Sequence, residues 1–249
     1  MHLVNDQPWV DLSTHIDISA LEQHQSAFAY AIAKYPEQIY TSLVGVQANL
    51  YDQTQIELGD FAKGLVGDPT SDARQIATKL GSLGRFYTYC KYMHPVVSLN
   101  QAMYIRVMKQ DHYSTKHLHD SCIDTPVTND FKFLFEWIDS QNVFNEYGRV
   151  VMFINEPGVK TVTHRDYPNP RSHRNEFIWL TLNSLKRFFV LDNDGTKHYT
   201  DSRVIYFDNA NWHGSEPCQF ANWSLRIDGV FSDDFLNRTG LYDHFRGNR

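Results

Sequence analysis

PGVKTVTHRD, residues 157–166, is the stretch from which the fold is read. Pro157 and Gly158 mark a turn, and the VKTVTH that follows has the composition of a short strand. Side chains two apart on a strand share a face, so His164 and Asp166 point the same way. The neighbouring segments obey the same grammar. GRVVMFINEPG (148–158) precedes it, and EFIWLTLN, KRFFVLDNDG, RVIYFDN and WSLRIDGVF follow, separated by Gly, Asn and Asp turns. Such a run of strands, preceded by helical stretches, predicts a mainly β fold, a sandwich or barrel buttressed by N-terminal helices.

The preceding part of the chain supplies those helices. Leu21, Phe28, Ile32 and Tyr35 recur at near-helical spacing and predict a helix over 20–35 capped by Ser19. Residues 40–68, with Gly45, Gly59, Gly64 and Gly67, read as short strands or irregular structure, and 71–93 as a second helix ended by Pro95. QAMYIRVMK (101–109) alternates as a strand. A third helix over 129–140 turns Phe131, Leu134, Phe135 and Ile138 to the core. No repeat or linker divides the chain, so one domain is expected, with 1–125 as flank and first strands and 126–249 as the β core.

Composition narrows the function classes. The 249 residues are 42% hydrophobic and 14% aromatic, enough for a sizeable core. A net charge of −6 argues against a broad nucleic-acid surface, which needs Lys and Arg to neutralise phosphates. The three cysteines lack CxxC spacing, as expected in a reducing compartment, and no apolar window is long enough to cross a bilayer. A cytoplasmic protein is expected. No GxSxG elbow or phosphate-binding glycine loop occurs.

What remains is metal chemistry. His213 follows the strand RVIYFDN in a turn marked by Asn209, Asn211 and Gly214. Two imidazoles and one carboxylate, His164, His213 and Asp166, would occupy one face of an octahedron and leave the rest open, the ligand set that suits non-haem Fe(II). Arg226 lies within an apolar strand, where a guanidinium needs an anionic partner. His117 and His119 are also two apart, but no nearby residue completes a ligand set.

The order HxD, distal His, then Arg on the next strand resembles the Fe(II)/2-oxoglutarate-dependent oxygenase superfamily. GRVVMFINEPG, the interval from Gly158 to His164, and RVIYFDNANWHGSEP resemble its aspartyl/asparaginyl β-hydroxylase and free-proline hydroxylase branch. The resemblance implies a double-stranded β-helix (jelly roll, cupin-like) core. It further implies iron on His164, Asp166 and His213, with Arg226 holding the far carboxylate of 2-oxoglutarate and O2 as the oxidant. Trp179 and Thr181 stand where that branch lines the cosubstrate pocket, although its Arg and His are missing there. Asp228 is a second departure, since it occupies a position where a small hydroxyl residue is common.

The implied reaction is hydroxylation of an unactivated C–H bond with release of succinate and CO2; Asp166 favours it over halogenation. Arg165, Arg171 and Arg174 are candidates to grip a substrate carboxylate, which suggests a small-molecule or peptide substrate: an amino acid, free or within a peptide. As solvated loop charges they would instead pair with acids such as Glu176. The competing classes are another cupin-type metalloenzyme and a non-catalytic ligand-binding barrel.

Overall fold

A computed structural model describes residues 3–4, 6–41, 101–109, 115–161, 163, 166 and 175–247. Its strands are β1 (Val10–Asp11), β2 (Ile39–Thr41), β3 (Gln101–Met108), β4 (Cys122–Asp124), β5 (Phe144–Asn155), β6 (Phe177–Thr181), β7 (Phe188–Leu191), β8 (Lys197–Tyr199), β9 (Val204–Tyr206), β10 (His213–Ser215) and β11 (Asn222–Phe231). The helices are α1 (Ser19–Gln23), α2 (Gln25–Lys34), α3 (Lys132–Ser140), α4 (Asp233–Arg238) and α5 (Tyr242–Arg246). An eight-stranded sheet runs β1-β9-β6-β11-β5-β3-β2, with β4 beside β3, and a three-stranded sheet runs β10-β7-β8.

The path between these sheets defines a double-stranded β-helix. From β5 the chain passes alongside β10, returns to the large sheet in β6 and enters the small one in β7 and β8. It then alternates through β9, β10 and β11. Interleaving of this kind lets two antiparallel sheets close over one another as a jelly roll.

The second segment of that path, 159–163, differs from expectation at its described positions, where no strand is assigned. Ser215 N–H instead donates to Thr161 O at 3.0 Å, and Thr161 N–H to Ser215 Oγ at 3.0 Å. Gly214 permits this approach, since a Cβ there would stand 2.9 Å from Thr161 O and 3.0 Å from Phe189. The segment therefore lies against β10 through partly side-chain bonding that cannot form a regular ladder.

Alternation along the strands sorts the core. One hydrophobic cluster joins Met103, Met152, Leu225 and Ile227 of the large sheet to Leu21 and Phe28 of α1 and α2 and Leu134 of α3. The opposite parity, Ala102, Tyr104 and Val151 with Phe153 beside them, faces the space between the sheets. Arg203 anchors the helical flank, donating to Thr181 O and Leu182 O while pairing with Glu22 of α1.

Two local expectations need correction. Ser19 is the first residue of α1 and caps nothing; its N–H and hydroxyl both donate to Asp17, each at 2.9 Å. The helix expected over 20–35 is broken at His24, whose ring bonds Ala20 O at 2.8 Å and stacks on Phe133 at 4.2 Å. The strand at 101–109 and the third helix form as expected, the latter starting at Lys132 after a 3-10 turn. The helix over 71–93 and the glycine-rich segment over 42–68 lie outside the described residues. Among the described residues no helix is long and apolar enough to cross a membrane.

Candidate metal centre

Asp166 and His213 meet at one end of the space between the sheets. Asp166 N–H donates to Asn209 O at 3.0 Å, tying its backbone to the turn that leads into His213 at the start of β10. His213 Nε2 stands 3.9 Å from Asp166 Oδ1, and His213 is 4% exposed. The other ring nitrogen, Nδ1, is 2.8 Å from Asn211 O. A carbonyl only accepts, so Nδ1 carries a proton and Nε2 is the ring nitrogen turned toward Asp166, the orientation that ligating histidines adopt. Two cis ligands each about 2 Å from one ion stand about 3 Å apart, so the pair would draw together by roughly 1 Å to share a metal.

The carboxylate is held as firmly as the imidazole. Asp166 Oδ2 accepts from Asn209 Nδ2 at 2.5 Å and from Arg226 Nη1 at 2.8 Å, which leaves Oδ1 as the atom facing His213. Asn209 is oriented in turn by Asn175 Nδ2, which donates to its Oδ1 at 3.0 Å. Arg226 lies over the Phe177 ring, 3.9 Å from its centroid, so a flat aromatic face supports the guanidinium.

Behind Arg226 lies a buried charge network. Asp228, fully buried, accepts from Arg226 Nε at 3.1 Å and from Arg149 Nε at 2.7 Å, with Lys116 Nζ at 3.2 Å. Asp228 shares the inward face of Arg226 two residues along β11, and the register shift between Ile227 and Gly229 places an extra residue of β5 beside it, in the stretch that carries Arg149. Despite its burial, the two guanidiniums hold the Asp228 carboxyl well below its usual pKa. Burial and the Arg226 charge push the Lys116 pKa well down, against the pull of Asp228.

Of the site residues expected from sequence, Asp166, His213 and Arg226 come together. Trp179 and Thr181 lie on the inward face of β6, directly opposite Arg226 and Ser224 of β11. His164, Arg165, Arg171 and Arg174 lie outside the described residues. Among the described residues no group of three His, Cys, Asp or Glu side chains is placed to hold a metal. His119 is a surface residue whose ring faces Asp120 at 3.4 Å. Asn209, Arg149 and Lys116 carry no sequence signal of their own, because their partners lie far away in the chain.

No protein-family model matches the chain, and no curated protein matches it. The solved structures similar to it include a Pseudomonas putida prolyl-4-hydroxylase, at 12% identity over 81% of this chain and 96% of that one, TM-score 0.33. Also among them is a Trichoplax adhaerens prolyl hydroxylase in complex with a hypoxia inducible factor peptide fragment, at 12% identity over 85% and 93%, TM-score 0.37. A cupin domain from Bordetella pertussis matches at 15% identity over 35% and 84%, TM-score 0.25. At these values the reading of the site rests on its own geometry.

Proposed function

We infer that this chain is an Fe(II)- and 2-oxoglutarate-dependent oxygenase, one that hydroxylates an unactivated C–H bond of an amino acid or of an amino-acid residue in a peptide. The observation that carries the reading is the facing pair at the mouth of the jelly roll. His213 Nε2 and Asp166 Oδ1 stand 3.9 Å apart, each fixed by hydrogen bonds at its other polar atom. One nitrogen and one oxygen donor suit a divalent first-row metal, and His164, two residues before Asp166, would add the second imidazole of a facial triad. Bound there with 2-oxoglutarate and O2, iron supplies the oxidation of C–H to C–OH as the 2-oxo acid is converted to succinate and CO2.

The residues of this chain have separable tasks. Asn211 fixes the imidazole of His213 with its Nε2 atom aimed inward. Asn209 and Arg226 hold Asp166 as a carboxylate with one oxygen presented to the metal. Arg165, Arg171 and Arg174, following His164 in sequence, are the proposed grip on a substrate carboxylate.

The test is a screen of amino acids and short peptides for 2-oxoglutarate-dependent succinate release with Fe(II) and O2. A substrate is expected to release succinate in step with its own hydroxylation, and His213→Ala to abolish both. Succinate formation by that variant at the wild-type rate would overturn the reading.

A further inference from the structure

Away from the metal pair, the opposite end of the same interior holds a buried amine with no acid beside it. Lys186, just before β7, is 3% exposed, and its Nζ donates to Asn155 Oδ1 at 2.7 Å. A buried ammonium normally has a carboxylate partner. Among the described residues the only titratable group that acts on Lys186 is the Cys218 thiol. Cys218 lies in the turn before β11, its carbonyl accepting from Gly158 N–H at 2.8 Å, three residues beyond Asn155. Burial pushes the Lys186 pKa down to about 8, so much of the side chain is the free amine, which is a nucleophile.

Two hydroxyls flank this amine. Asn155 of β5 pairs in register with Asn222 of β11. Ser224, two residues along, shares that face and pairs with Thr181 of β6. Thr181 lies two residues from Trp179, whose ring centre is 6.0 Å from Lys186 Nζ. Ser224 and Thr181 are fully buried, and among the described residues neither hydroxyl has a hydrogen-bond partner. They therefore bond neither to one another nor to Lys186, and both call for an acceptor.

That acceptor does not come from the metal side. Trp179 packs on Phe188 at 4.9 Å and Phe188 meets His213 at 5.8 Å, so two aromatic rings wall the amine off from the metal pair. Only a small, uncharged molecule reaches such a place without a large desolvation cost.

We propose that Lys186 is a carbamate-forming site: its Nζ adds CO2, and the Thr181 and Ser224 hydroxyls hold the product. The amine lone pair forms the C–N bond while one C=O π bond opens onto oxygen. The surplus proton passes from nitrogen to solvent, and nothing is oxidised or reduced. The remaining N–H keeps its bond to Asn155 Oδ1, and the two carbamate oxygens accept from the two hydroxyls. The modification replaces an amine that lacks an acid by an anion that meets two donors. It does not depend on the oxygenase reading.

The experiment incubates the full chain in alkaline bicarbonate labelled with carbon-13, ethylates the carbamates with triethyloxonium and locates them by peptide mass spectrometry. Lys186 should carry the label at an occupancy at least about ten-fold above that of the partly exposed Lys34. Ser224→Ala and Thr181→Val should each lower that occupancy about ten-fold, the effect of losing one hydrogen bond to a charged group. Bicarbonate should also raise the melting temperature of wild type and leave that of Lys186→Met unchanged, because a modification confined to the folded state stabilises it. Labelling of Lys186 no greater than that of Lys34 would overturn the proposal. Labelling unchanged in both hydroxyl variants would overturn the assignment of Thr181 and Ser224 as its holders.

Discussion

Replacing Asp228 by Asn isolates the charge network that supports the site. The change keeps the shape of the side chain and removes the charge that the Arg149 and Arg226 guanidiniums share; among the described residues Arg226 then keeps Asp166 as a carboxylate partner. Both Arg–Asp228 contacts are short, 2.7 Å and 3.1 Å, and Asp228 is fully buried, so solvent cannot replace the lost charge. Breaking a buried pair of this kind costs about 3–5 kcal/mol. For a chain of this size that corresponds to a melting point roughly 6–20 °C lower.

The pH dependence follows from the depressed carboxyl pKa. Asp228 stabilises the fold above the ordinary carboxyl value of 3.8, and that contribution fades as pH falls toward its lower folded value. The Asn variant should lack this component, so the two proteins should converge in stability in strong acid. Urea unfolding followed by tryptophan fluorescence at pH 7 measures the difference. A loss below about 1 kcal/mol would mean that the guanidiniums find other partners and that the network does not hold Arg226 in place.

The other expectations concern the metal pair, its neighbour Gly214 and the buried Lys186. Asn209→Ala removes a donor to Asp166 Oδ2 and should weaken Fe(II) binding about 10–100-fold, read by competition with a chelating dye, while melting stays near wild type. In Gly214→Ala a Cβ would stand 2.9 Å from Thr161 O and 3.0 Å from Phe189, so unfolding free energy should fall by about 1–3 kcal/mol, with weaker metal binding as the 161–163 segment is pushed off β10. Burial lowers the Lys186 pKa to about 8. The same depression means that unliganded protein gains stability between about pH 8 and 10.5, where the unfolded chain binds the extra proton; Lys186→Met should abolish this rise in a urea-unfolding series.

Much of this was legible in the sequence because its signals are local. The turn before His213 and the apolar strand around Arg226 place two functional types at a strand start and on a strand without reference to the fold, whereas the strand expected to carry His164 and Asp166 is not assigned at its described positions. The amphipathic stripe of Leu134 and Ile138 likewise fixed α3. Contacts between distant segments were not legible. Lys186 sits in a Lys-Arg pair at a strand border, a pattern typical of an exposed edge, and its burial follows only from closure of β5 and β6 around it. Asn209 reads as a turn residue until Asp166 is beside it. The Ser19 cap failed for a local reason, because Asp17 offered a stronger acceptor two residues earlier.

The question that decides the account is whether Asp166 and His213 belong to an iron site that accepts a 2-oxo acid. Anaerobic Fe(II) titration with and without 2-oxoglutarate, followed by the visible metal-to-ligand charge-transfer band, answers it. Wild type should develop the band only when both are present, and His213→Ala should lose it. A wild type without the band, or a His213→Ala variant with a full one, would contradict the reading.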